Sequence, residues 1–221
     1  MKLATLKLQR EILSQEQQQL LNGLEDQFVG YVLGGGTALS MQIKHRMSFD
    51  FDFFSPEMIP RDLLVKIKEI IPINRVARDT SDELTFYTGD KGDIKITALH
   101  YPFDEVFKNI ATDGNLRYFP LAIIAAQKAY AVGRRGAYRD YYDLFAILNQ
   151  KYLTIGEVIK MTEKIFGSIF NPKIFLEQLV YFDDLTDFEI LAVDKDQKIV
   201  DKNEVERFFQ LLVTKFLKNF I

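Results

Sequence analysis

Three consecutive glycines, Gly34-Gly35-Gly36, constrain this chain more than any other feature. They follow a short apolar run, Tyr31-Val32-Leu33, and precede Thr37 to Lys44, a stretch of good helix formers with Thr37 placed to cap its start. An apolar run stopped by glycine reads as a buried strand, so the segment predicts strand, tight turn and helix. Glycine adopts dihedrals closed to other residues and lets a ligand approach the backbone. The N–H groups that open a helix, with the positive end of its dipole behind them, suit a phosphate. The same residues also make an ordinary strand-to-helix turn. The pattern is neither a P-loop, which ends in Gly-Lys-Ser/Thr, nor the GxGxxG dinucleotide fingerprint.

A second pattern lies one short helix downstream. Phe49 to Phe54 alternates, with Phe49, Phe51 and Phe53 on one face and Asp50 and Asp52 on the other, the period of a strand. The phenylalanines would anchor it in a core, and the two carboxylates would point the same way, ~6–7 Å apart along the strand. Carboxylates this close repel unless a cation or basic group sits between them. Oxygen donors of this kind suit Mg²⁺ shared with nucleotide phosphates. The alternative is a solvated strand face, and the nearby glycine turn favours the metal.

The rest of the chain falls into two halves. Glu16 to Leu24 reads as a helix continuing to Phe28, and Pro60 to Ile70 as another. Ile73 to Arg78, Leu84 to Thr88 and Ile94 to His100 read as strands, with Gly89 to Gly92 turning between the last two. After Tyr101-Pro102 the pattern becomes helical: Pro120 to Val132, Ala137 to Asn149, Ile155 to Phe166, Pro172 to Phe182 and Glu204 to Phe220. The reading is an α+β protein: an α/β core over residues 1–110, with a mixed sheet and flanking helices, then a helical half over residues 111–221 packed against it. The glycine turn and both aspartates are expected to converge on a cleft between the halves.

Composition removes several function classes. The 221 residues contain no cysteine, which excludes disulfides, thiolate metal sites and a Cys nucleophile, and only two histidines, His45 and His100. A net charge of −3 excludes nucleic-acid binding by bulk charge. No DNA-specific motif is present. No apolar run reaches the ~18 residues of a membrane span, and the longest, Phe119 to Ala126, reads as a buried helix segment. Met1 to Ile12 lacks a signal-peptide core, so a soluble, cytoplasmic protein is expected.

The helical half holds its own candidates. Leu121, Ile124, Ala125, Lys128, Ala129 and Val132 follow a buried-face spacing that Lys128 interrupts. Lys128 either snorkels to the surface or projects into a cleft to hold a phosphate. Arg134, Arg135 and Arg139 follow, then Asp140 and Asp143 at i, i+3 on one helix side. Arg139 and Asp143 form either a surface i, i+4 pair or part of a site. From Ile155 onward, Phe166, Phe170, Phe175, Tyr181, Phe182, Phe188, Phe208, Phe209, Phe216 and Phe220 read as core. An excess of them could form a patch for a partner. Asp183, Asp184, Asp187, Asp194 and Asp196 read as solvated surface.

Taken in order, Gly35-Gly36-Thr37-Ala38-Leu39, His45-Arg46, Ser48, Asp50 and Asp52-Phe53-Phe54, then Lys128 and Arg139-Asp140-Tyr141-Tyr142-Asp143-Leu144, resemble the AbiEii family over roughly Tyr31 to Leu148. These are nucleotidyltransferase toxins of abortive-infection toxin–antitoxin systems, within the DNA polymerase β-like superfamily. The resemblance implies a nucleoside triphosphate substrate, Mg²⁺ on Asp50 and Asp52, and nucleotide contacts from Gly35, Gly36, Thr37, Arg46, Ser48, Arg139 and Asp143. It adds Lys128 and Asp140 to the catalytic set. It also implies an acceptor, RNA such as tRNA or a protein, and an antitoxin protein as partner.

One position departs from the family pattern. The superfamily commonly adds a third carboxylate from a neighbouring strand, and the matching position in Ile94 to Pro102 is Thr97, a neutral hydroxyl. Asp93 sits four residues earlier, ~13 Å away by strand rise. Two readings follow: a working nucleotidyltransferase, or a catalytically weakened relative that binds nucleotide or a partner protein. A plain helical interaction protein with coincidental motifs is the third.

Overall fold

The computed structural model describes residues 6–218; Phe220 and the first five residues lie outside them. The chain divides into two compact units between Leu121 and Ala122.

The first unit is built on strands β1 (Val32–Gly34), β2 (Phe51–Ser55), β3 (Arg75–Asp79), β4 (Glu83–Thr88), β5 (Ile94–His100), β6 (Ala111–Asp113) and β7 (Leu116–Tyr118). Its helices are α1 (Gln15–Leu24), α2 (Gly35–Ile43), α3 (Leu63–Lys68) and α4 (Asp104–Phe107). The strands form one mixed sheet in the order β3-β4-β5-β2-β1-β7-β6. β2 runs near its centre, antiparallel to β1 and parallel to β5. Leu33, Phe51, Phe53, Phe86, Ile96 and Ala98 are buried in its core, and Phe28 stacks on Phe53 with ring centroids 4.1 Å apart. The mixed sheet, flanking helices and helical continuation are the α+β arrangement expected from the sequence.

Three local expectations differ from the structure. Helix α2 opens at Gly35, with Gly34 at the N-cap and no side-chain cap. The Thr37 hydroxyl donates instead to the Asp50 carbonyl, which ties the helix to the segment entering β2. Phe49 lies ahead of β2 and is 42% exposed, so of the three alternating phenylalanines only Phe51 and Phe53 anchor the strand. The reason is visible in α1: the Gln17 amide donates to the carbonyls of Ser48 (2.9 Å) and Phe49 (3.2 Å), so this stretch needs no ladder partner. Finally, β6 and β7 carry the sheet past residue 110 to Tyr118. At three residues each, these strands are too short for alternation to mark them.

The second unit consists of α5 (Leu121–Ala131, its first residue still in the first unit), α6 (Tyr138–Asn149), α7 (Ile155–Phe166), α8 (Pro172–Leu179) and α9 (Lys202–Lys218). Thr154 and Glu157 form a capping box on α7, and Asn171 caps α8 with Pro172 at its first position. Phe166, Phe170, Phe175, Phe182 and Phe209 are core, Phe188, Phe208 and Phe216 are half-buried, and Tyr181 is 46% exposed. Among the described residues no helix is long and apolar enough to cross a membrane.

Packing dictates the first glycine of the run. A Cβ at Gly34 would stand 2.6 Å from the Phe54 ring and 2.9 Å from that of Phe119. Both rings are buried, so they cannot give way cheaply. Gly34→Ala is therefore expected to destabilise the protein by about 1–3 kcal/mol, read as a lower melting temperature.

Candidate functional site

The other two glycines are dictated by polar neighbours. Gly35 has φ +66°, in the left-handed region, and a Cβ there would collide with the Asp52 carboxylate. A Cβ at Gly36 would come 2.5 Å from Arg46 Nη2 and 3.0 Å from Ser48 Oγ. The opening of α2 thus has a carboxylate against one glycine and a guanidinium and a hydroxyl against the next. The β1–β2 register, with Gly34 opposite Asp52, brings that carboxylate to the turn.

The return loop is held firmly. Arg46 is buried and its Nη1 donates to the Met47 carbonyl at 2.9 Å, while Ser40 donates to the Arg46 carbonyl. Thr37, also buried, shares a 2.9 Å hydrogen bond with Ser48 in addition to its bond to Asp50. Gly35, Gly36, Thr37, Arg46, Ser48 and Asp52 are therefore gathered at one end of the sheet. Thr37 serves there as a tie between α2 and the loop, with its side chain committed to the protein.

Asp50 lies just before β2 and carries a cation. Lys95 Nζ of β5 stands 3.2 Å from Asp50 Oδ2. The parallel β2–β5 register sets Asp52 opposite Thr97, and the Thr85 hydroxyl is 3.4 Å from that of Thr97. The strand expected to supply a third carboxylate is the neighbour of β2, and a threonine stands at the paired position. Among the described residues no cluster of three Asp, Glu or His side chains could hold a metal. Asp50 and Asp52 are nonetheless hard oxygen donors, and the ammonium on Asp50 stands in for a cation at this edge. They fit a Mg²⁺ that draws its remaining oxygens from water and phosphate.

Sequence reasoning missed Lys95 and Gln17. Lys95 shares a face with Thr97 by strand alternation, so the two-residue spacing was the available signal. Gln17 had none beyond its place in the Ser14–Gln17 capping box.

In the second unit, Lys128 of α5 neither snorkels nor stands open. It is buried, with its ammonium 2.6 Å from Asp140 Oδ1 and 2.7 Å from Asp143 Oδ2. Arg135, from the α5–α6 connection, completes the cluster with bonds of 2.6 and 2.9 Å to the two Asp140 oxygens. Two positive and two negative groups thus neutralise one another. Burial alone would raise the Asp140 pKa, but Lys128 and Arg135 outweigh it and hold the carboxyl below its ordinary range. Arg139 stands apart, half-exposed and 3.8 Å from Asp187.

Removing one member of a buried pair leaves its partners charged and uncompensated. Lys128→Met is expected to cost about 3–5 kcal/mol of stability, measured by denaturant unfolding. A depressed folded-state pKa contributes stability that is present above the unfolded value and lost as pH falls through the folded one. The wild-type advantage should therefore hold at neutral pH and fade below about pH 4, the unfolded Asp value.

The chain is similar to known proteins in sequence and in fold. The sequence signature of the nucleotidyl transferase AbiEii toxin family, type IV toxin–antitoxin system, matches residues 19–214. An uncharacterized protein of Aquifex aeolicus strain VF5 is 30% identical over 193 residues, covering 86% of this chain and 89% of that protein. A Helicobacter pylori structure described as a candidate nucleotidyltransferase matches with TM-score 0.56 and 19% identity, over 93% of this chain and 98% of that one. The structure of JHP933 from Helicobacter pylori matches with TM-score 0.56 and 18% identity, over 96% of each. At these identities the two structures speak for the fold. With the signature spanning both units, the chain belongs to the AbiEii family of nucleotidyl transferase toxins.

Proposed function

We propose that this protein moves a nucleoside monophosphate from a nucleoside triphosphate to an acceptor hydroxyl on RNA, as the toxin of a cytoplasmic toxin–antitoxin pair. The observation that carries the reading is the opening of α2, where the Asp52 carboxylate lies against Gly35 and Arg46 against Gly36. A triphosphate needs close backbone approach and positive charge, and an adjoining carboxylate lets a divalent cation join it.

In the reaction the acceptor oxygen bonds to the α-phosphorus and the bond from that phosphorus to the bridging oxygen of the β-phosphate breaks. Pyrophosphate leaves and the hydroxyl proton passes to solvent. Gly35 and Gly36 let Asp52, Arg46 and Ser48 close on the opening of α2, where the phosphates would meet them. The amides opening α2, with the buried Arg46 guanidinium behind them, stabilise charge as it moves onto the leaving pyrophosphate. Ser48 offers a hydroxyl to the same space. Asp50 and Asp52 would hold Mg²⁺, which neutralises phosphate charge and lowers the pKa of the attacking hydroxyl when bound. Lys128 and Asp140, which the family resemblance assigns to catalysis, enter this reading as a paired cluster with Asp143 and Arg135 that keeps α5 and α6 in place.

A second reading has its own observation. Thr97 pairs with Asp52 where a carboxylate would strengthen metal binding, so a relative that binds nucleotide with little turnover is the alternative. Incubation with Mg²⁺, each labelled triphosphate and total RNA separates the two. Label on RNA is the expected result, label on protein would move the acceptor class, and nucleotide binding without any transfer would favour the second reading. Asp50→Asn with Asp52→Asn should abolish transfer while leaving the melting temperature within about 2 °C of wild type, since the Asp50–Lys95 pair that is lost is part-exposed and weak. Retained transfer would count against the metal role.

A further inference from the structure

The edge of the site that calls for a divalent cation already holds a monovalent one. Lys95 and Asp50 lie 3.2 Å apart, with side chains 34% and 32% exposed. The register accounts for the contact: Phe51 pairs with Ile96 and Asp52 with Thr97, so one step back along both parallel strands brings Asp50 beside Lys95. Strand β5 therefore presents a cation and a hydroxyl to this edge, with no carboxylate of its own facing Asp52.

We propose that Lys95 is a resident cation that competes with divalent metal for Asp50, so that metal enters with the triphosphate rather than before it. The inference rests on the nucleotide-site reading given above. Its physics is simple. A part-exposed ion pair is weak, and the lysine stem is flexible enough for its ammonium to swing away. A divalent ion arriving alone must share Asp50 with a like charge a few ångströms off, a repulsion that weakens binding by roughly tenfold. A metal–triphosphate complex meets no such penalty, because its negative oxygens receive the displaced ammonium as a point-charge donor. The threonine at position 97 then has a counterpart: the site exchanges a third carboxylate for a lysine, lowering affinity for metal alone while keeping affinity for metal bound to nucleotide.

The test is Mn²⁺ binding by electron paramagnetic resonance, with and without a non-hydrolysable triphosphate, on wild type, Lys95→Met, Lys95→Arg and Lys95→Met combined with Asp50→Asn. Lys95→Met should bind Mn²⁺ alone about five- to tenfold tighter than wild type. Lys95→Arg, which keeps the charge, should resemble wild type, and the added Asp50→Asn should erase the gain. For the Mn²⁺–triphosphate complex the gain should vanish or reverse. Equal affinity of wild type and Lys95→Met for Mn²⁺ alone would overturn the inference, as would the same gain with and without triphosphate, and both leave the nucleotide site standing. If neither Mn²⁺ nor its triphosphate complex binds any of the four proteins, the inference falls together with the nucleotide-site reading.

Discussion

The candidate site at the opening of α2 depends on three missing Cβ atoms. At Gly34 the space is taken by two aromatic rings, at Gly35 by the Asp52 carboxylate and at Gly36 by Arg46 and Ser48. The first is a packing requirement: it seats β1 and α2 against Phe54 and Phe119. The other two are electrostatic, since they let opposite charges close on the opening of one helix from two sides. A side chain at any of the three would push apart groups that the sheet register otherwise brings together. Core packing and candidate chemistry thus meet within three consecutive residues.

The two units use charge in contrasting ways. In the second, Lys128, Asp140, Asp143 and Arg135 form a cluster whose charges cancel and which is reached from solvent chiefly through Arg135. Such a cluster contributes to stability only while complete, because each member is compensated by the others. In the first, Asp50 and Lys95 pair at a part-exposed edge, where separation is cheap and a ligand can replace one partner. A buried, satisfied network holds helices in place, and an exposed, weak pair is suited to exchange. Burial is what separates the two charge patterns.

Much of this was legible in the sequence, for identifiable reasons. The order of strand, glycine turn, helix and strand from Tyr31 to Phe54 rests on strong local signals, and β5 falls on the residues its alternation marks. Family membership was carried by an ordered set of motifs and is matched across both units. What local pattern could not reveal was side-chain commitment. Thr37 looks like a cap, but its hydroxyl is taken by a carbonyl brought close by the β2 approach. Phe49 continues an alternation that Gln17, more than thirty residues upstream, interrupts. Lys128 left two readings open because its fate depends on which helix packs against it, and that helix brought two aspartates. Lys95 was passed over because its partner lies on another strand, at a distance only the register supplies.

The central claim is that a triphosphate and its metal sit at the opening of α2. Anomalous diffraction from crystals grown with Mn²⁺ and a non-hydrolysable nucleoside triphosphate tests it most directly. The account predicts a manganese peak bridging Asp50, Asp52 and a phosphate oxygen, with the triphosphate against the Gly35-Gly36 backbone. Manganese bound away from both aspartates, or a triphosphate seated elsewhere on the protein, would contradict it.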